Sequence, residues 1–171
     1  MRKALLTLAL LLALAPIAAA ATAPKDLPKS TDCVSDFAHV LSPAAIKKID
    51  RICALLDHSK PGTQLAVVTI PSLDGADIAD YARDLANTWG VGNKATNRGA
   101  LLLLAIQDHK WRIAVGYGLE STLTNPRTQK IGDTMIPRLR KGDFDGAVLL
   151  AVQKIVQAVS GHKASAQEPR E

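Results

Sequence analysis

The chain has 171 residues, of which 47% are hydrophobic, 22% charged and 4% aromatic, and its 21 Lys+Arg against 16 Asp+Glu give a net charge of +5. That length suits one globular domain, and the apolar content excludes a disordered chain, a collagen and a disulfide scaffold. The basic balance would point to nucleic acid or an anionic membrane only if the charge belongs to the folded part.

Met1-Arg2-Lys3 is a short cationic start, Ala4 to Ala15 is apolar apart from Thr7, and Ala18-Ala19-Ala20 supplies small residues where a signal peptidase cuts. Residues 1–20 therefore read as a secretory signal peptide, with an apolar run too short to cross a bilayer about 30 Å thick. An uncleaved anchor is the competing reading. Cleavage after Ala20 leaves 151 residues with 19 Lys+Arg against 16 Asp+Glu, a net charge of +3, and nucleic acid drops out as a partner. No later segment offers eighteen consecutive apolar residues, so no transmembrane anchor is expected after cleavage. The expectation is a soluble periplasmic or secreted protein.

Residues 21–31 contain two Pro and no apolar period, and read as a linker. The segment Val34 to Leu41 is short and extended or turning. Ser42 is a suitable N-cap with Pro43 at the first helical position, and Leu41 can staple onto Ile46. That helix runs to about His58, before Pro61-Gly62. Gln64 to Ile70 is a buried strand, and Ile78, Tyr81, Ala82, Leu85 and Trp89 form one face of a second helix closed by Gly90. Ala100 to Ile106 is almost wholly apolar and must be covered on both faces.

Asp108-His109 separates that strand from the next, Trp111 to Tyr117, and the two should form an antiparallel hairpin. Asn125-Pro126 opens a third helix with Ile131, Met135 and Leu139 on one side, which Pro137 should kink or end. Asp143 caps a fourth helix, Phe144 to Ser160, and the polar residues 161–171 form a flexible tail. This order indicates an α/β sandwich with a small mixed sheet.

Cys33 precedes the first folded segment, and Cys53 falls on the apolar stripe Ile46, Ile49, Ile52, Cys53, Leu56. An oxidising compartment permits a single bridge between them, the competing reading being two buried free thiols.

Several familiar chemistries are missing. The four His show no zinc spacing, and Gly90 to Lys94 lacks the third Gly and the ending of a phosphate loop. Asp143-Phe144-Asp145-Gly146 has the spacing of a phosphatase aspartate pair, yet it opens a helix instead of ending a buried strand, so a helix cap is the better reading. What is present is a cluster of Gly-rich loops around the hairpin strands, where backbone can approach closely near an acidic residue.

Those loops carry a resemblance. Trp89-Gly90-Val91-Gly92, Gly99-Ala100-Leu101-Leu102-Leu103, Arg112 to Glu120 and Ile136 to Phe144 resemble, in order and spacing, the signature segments of the TPM domain family, and Val34 to Ser42 resembles its opening. The likeness spans about Cys33 to Ser160, and Gly116-Tyr117-Gly118-Leu119-Glu120 is its most specific segment. It implies a three-layer α/β/α sandwich outside the cytoplasm or on the lumenal side of a membrane. Some members are described as acid phosphatases linked to photosystem repair, some bind calcium or another divalent ion, and many have no assigned activity.

By that resemblance Asp36 and Glu120 match acidic family positions and are the candidate metal ligands. Asn97-Arg98 and Asn125 stand where the family commonly places further acids. Binding-loop candidates are thus Asp36, Asn97, Arg98, Gly116, Gly118, Glu120 and Asn125, and no residue stands out as a nucleophile. Losing carboxylates weakens a calcium site, which needs six to eight oxygen ligands. Arg98 is therefore expected to replace the ion by pairing with Glu120, against the plainer readings that both are solvated loop charges and that Asp36 caps a turn. Two functional readings follow. One is a noncatalytic accessory or interaction module with an envelope protein partner and no cofactor. The other is an acid phosphatase-like hydrolase of phosphomonoesters linked to calcium.

Overall fold

The structure is a computed structural model that describes residues 23–29, 32–92 and 94–165. The expected signal peptide, residues 1–20, lies outside the described residues.

Local signals set the helix boundaries. Ser42 takes an extended backbone and its Oγ accepts from the Ala45 N–H at 3.2 Å, starting α1 (Pro43–Asp57). Asp77 starts α2 (Ile78–Trp89) by accepting from the N–H groups of Ala79 and Asp80 at 2.8 and 3.0 Å, and Gly90 ends it in the left-handed conformation, φ 62°. Two further helices follow, α3 (Asn125–Leu139) and α4 (Phe144–Ser165).

Four strands form one sheet in sequence order: β1 (Val34–Asp36), β2 (Gln64–Ile70), β3 (Gly99–Ala105) and β4 (Lys110–Val115). The first three are parallel, and β4 returns antiparallel to β3 as a hairpin. Every residue of β3 is buried. Its Ala100, Leu102 and Leu104 join the core under α1, α3 and α4, while Leu101, Leu103 and Ala105 join the core under α2. This period of two, with helices over both faces, is what makes an apolar run tolerable as a strand. The result is the expected three-layer α/β/α sandwich around a mixed sheet.

Cys33 and Cys53 are joined by a disulfide with Cα atoms 6.1 Å apart, so the segment entering β1 is fastened to α1.

Four local expectations change. The stretch expected to be a linker holds a 3-10 turn, Pro24–Asp26, and buries Leu27 in the α2 core, where the Trp89 Nε1–H donates to the Leu27 carbonyl at 3.3 Å. The alternation of β4 stops at Val115, because the chain turns through a 3-10 segment, Tyr117–Leu119, that leaves Tyr117 83% exposed and buries Leu119 instead. Helix α3 passes Pro137 and ends at Leu139. Pro137 has no N–H to donate, and the Arg140 N–H to Ile136 carbonyl bond at 3.0 Å closes the last turn behind it. Helix α4 continues to Ser165, five residues past its expected end, so residues 161–165 of the expected tail are helical.

Candidate functional site

The loop before β3 and the loop after β4 lie against each other. The Gly118 N–H donates to the Asn97 carbonyl at 3.1 Å, the Gly116 N–H donates to the Gly99 carbonyl at 2.8 Å, and Arg98 Nη1 donates to the Gly118 carbonyl at 3.3 Å. A Cβ on Gly118 would overlap the Thr96 carbonyl oxygen, so glycine here admits a second loop of the same chain. Four of the candidate residues, Asn97, Arg98, Gly116 and Gly118, are thereby brought together as a loop-to-loop seam. The Arg98 side chain turns inward, with Nη2 donating to the buried Thr63 Oγ1 at 3.2 Å and Nε buried without a hydrogen-bond partner. No ion pair joins Arg98 to Glu120 among the described residues, so the expected charge substitution is not the contact that Arg98 makes.

Asp36 ends β1, and its carboxylate is taken up by its own neighbourhood. Its oxygens accept from the N–H groups of Val40 at 3.2 Å and Leu41 at 2.9 Å and from the hydroxyl of Thr69, whose oxygen in turn accepts from the Ala38 N–H at 3.2 Å. This ties the turn before α1 to the neighbouring strand β2. It is the turn-capping role that an Asp at a strand end can fill.

Strand register separates Asp36 from Glu120. Asp36 stands beside Thr69, Thr69 beside Leu104 and Leu104 beside Trp111, whereas the other end of β4, Val115, stands beside Ala100. Four residues along the strands and three strand spacings across put Asp36 about 19 Å from Val115 at ~3.3 Å per residue and ~4.8 Å per strand. The loop leading to Glu120 stays at that end of the sheet, because the Gly118 N–H bonds the Asn97 carbonyl just ahead of β3. A calcium ligand must reach to about 2.5 Å, so these two carboxylates do not fit one divalent ion. Among the described residues no group of three His, Cys, Asp or Glu is placed to hold a metal.

Glu120 and Asn125, by contrast, share one groove. Both line a groove of about 380 Å³ between α2, β4 and the start of α3, together with Arg83 and Arg112. The bond from Gly116 to Gly99 fixes the phase of the antiparallel ladder, so the N–H and C=O groups of Trp111, Ile113 and Val115 point away from β3 along the free edge. Asp77 caps the start of α2, and the amides of Asp80 and Ala79 hold its carboxyl below the usual range, with smaller pulls from Lys110 and Arg112.

The arrangement has relatives. A family profile described as the TPM domain matches residues 34–158. The chain belongs to the TPM domain family. The UPF0603 protein YdjH of Bacillus subtilis (strain 168) is 32% identical over 111 residues, which cover 65% of this chain but only 41% of that protein. The solution NMR structure of the N-terminal domain of a protein from P. gingivalis superposes with a TM-score of 0.75 at 33% identity, covering 82% of this chain and 93% of that one. The N-terminal domain of the cg2496 protein from Corynebacterium glutamicum, TM-score 0.60 at 19% identity, shares the fold over 77% of this chain and 85% of its own. So does the BA42 protein from Bizionia argentinensis, TM-score 0.60 at 16% identity, over 71% of this chain and 82% of its own.

Within this TPM domain, the partners that decide what Asp36 and Arg98 do are Thr69 and Thr63, two residues the sequence does not single out. They lie 33 and 35 positions away along the chain, and only strand pairing brings them close.

Proposed function

We propose that this TPM domain is an exported, noncatalytic accessory module that acts by binding an envelope protein partner. The use made of Asp36 and Arg98 carries the reading. A carboxylate whose oxygens accept two amides and a hydroxyl, and a guanidinium spent on a carbonyl and a buried threonine, serve the fold's own loops. The cationic start, apolar run and Ala-rich exit of residues 1–20 support export, as does the Cys33–Cys53 bridge. No helix among the described residues is long and apolar enough to cross a membrane. The shared region covers 41% of the length of the curated relative that the chain matches.

One observation favours the phosphomonoesterase reading. Arg112 lines the same groove as Glu120 and brings positive charge of the kind phosphoryl oxygens need, as does Arg83, which is also ion-paired with Asp80 at 2.6 Å. An assay of para-nitrophenyl phosphate hydrolysis across acidic pH, with and without low-millimolar calcium, separates the two. The accessory reading expects no turnover above the enzyme-free blank. Turnover that Glu120→Ala abolishes would replace it with the hydrolase reading.

A further inference from the structure

The geometry points to an anion-binding groove between α3 and α4 that takes a phosphate-bearing ligand, a site separate from the loops around β4 and independent of whether the domain is an accessory module. The cavity measures about 530 Å³, a size suited to a small ligand or a headgroup. Positions 127, 130, 131 and 134 of α3 face positions 154, 157, 158 and 161 of α4. Each set follows i, i+3, i+4, i+7 spacing, so each is one continuous stripe of its helix.

The charge on these stripes has one sign. Arg127, Lys130 and Lys154 line the groove, and no acid does among the described residues. Asp133, the acid nearest in sequence, is off the lining stripe and accepts from Gln129 Nε2 at 3.1 Å. None of the three cations makes an ion pair among the described residues. Arg127 is fixed in place, because its Nη1 donates to the Thr122 carbonyl at 2.7 Å, which leaves its remaining donors oriented at little further entropic cost. The first turn of α3 also contains no acidic residue to offset the positive end of the helix dipole.

Three cations around one cavity match a ligand carrying more than one negative charge. A phosphate monoester has about −1.5 to −2 at neutral pH, and an Arg fork with flanking Lys point charges is a usual way to hold it. Ile131 and Ala158 give the groove an apolar floor, and Gly161 leaves one end open, since a Cβ there would meet nothing. A phosphate with an organic substituent therefore fits better than a bare ion. Two sources share that chemistry, a soluble phosphate ester and the headgroup of an anionic phospholipid.

The test uses the ¹⁵N-labelled chain without residues 1–20, titrated with glycerol 3-phosphate at constant ionic strength. Saturable shifts confined to the amides of 127–134 and 154–161 are expected. Lys130→Glu with Lys154→Glu should weaken binding at least tenfold, and Lys47→Glu with Lys48→Glu on α1 should change it less than twofold; preserved spectral dispersion shows that each variant is folded. A second arm measures cosedimentation with phosphatidylglycerol vesicles and with phosphatidylcholine vesicles. Vesicle binding lost in the α3/α4 variant assigns the lipid headgroup as the source, whereas glycerol 3-phosphate binding without vesicle binding assigns a soluble ester. Affinity unchanged in that variant, shifts scattered over all surface lysines, or binding in neither arm overturns the proposal.

Discussion

Gly132 of α3 lies against the indole of Trp111 on β4 so closely that a methyl group at position 132 would overlap the ring. The contact sets how closely α3 approaches the edge strand. Gly132→Ala is expected to destabilise the domain by about 1–3 kcal/mol through overpacking. In a Trp111→Leu background the same change should cost at least about 1 kcal/mol less, because the two residues share one space. Denaturant unfolding of the four proteins in the cycle measures both values.

Asp36 and Thr69 form a shared cap, and removing either leaves backbone amides without their acceptor. Asp36→Ala should cost roughly 2–4 kcal/mol and Thr69→Val roughly 1–2 kcal/mol, with the double variant losing less than the sum. A metal ligand would instead show its loss only in the presence of the ion. Unfolding with and without calcium discriminates, and the capping role requires the same loss in both.

These residues also show where sequence reading succeeds and stops. Ser42-Pro43, the α2 face ending at Gly90, and the apolar run of β3 are encoded by neighbours within a turn or a strand, so caps and periodicity reveal them directly. Leu27, Thr63 and Thr69 acquire their roles only when distant segments meet. The separation of Asp36 from Glu120 was partly legible. An antiparallel β4 beside parallel strands must deliver its C-terminal loop to the end of the sheet opposite Asp36. Matching acids to a family pattern one at a time conceals that geometry.

The disulfide closes a loop between residues 20 apart in sequence. On the loop-entropy account it stabilises the fold by about 3 kcal/mol, which for a domain of this size corresponds to a melting temperature on the order of 10 °C higher than in the reduced protein. Thermal unfolding with and without dithiothreitol checks this, and Cys33→Ser with Cys53→Ser should reproduce the reduced value.

Acid sensitivity should respond to two sets of aspartates in opposite directions. Arg138 and the Gly146 amide hold the Asp143 carboxyl below the usual range, and backbone amides do the same for Asp77. Their contribution is present above the unfolded-state value and is lost as pH falls through the folded-state value. Burial raises Asp50 despite its bond from the Val34 N–H at 3.0 Å, so its charged form carries a cost that acidification relieves. Asp77→Asn with Asp143→Asn should therefore flatten the loss of stability from neutral pH downward, and Asp50→Asn should steepen it. Unfolding free energies across that range give the slopes.

Asp36 and Glu120 stand at opposite ends of the sheet and share no ligand. Titration of calcium into the ¹⁵N-labelled chain tests this most directly, because amide shifts caused by a diamagnetic ion are largest in its immediate surroundings. The amides of 36–41 and of 118–122 are expected never to shift together along one saturable curve. Shifts of both segments with a single dissociation constant would contradict this separation and restore a common metal site.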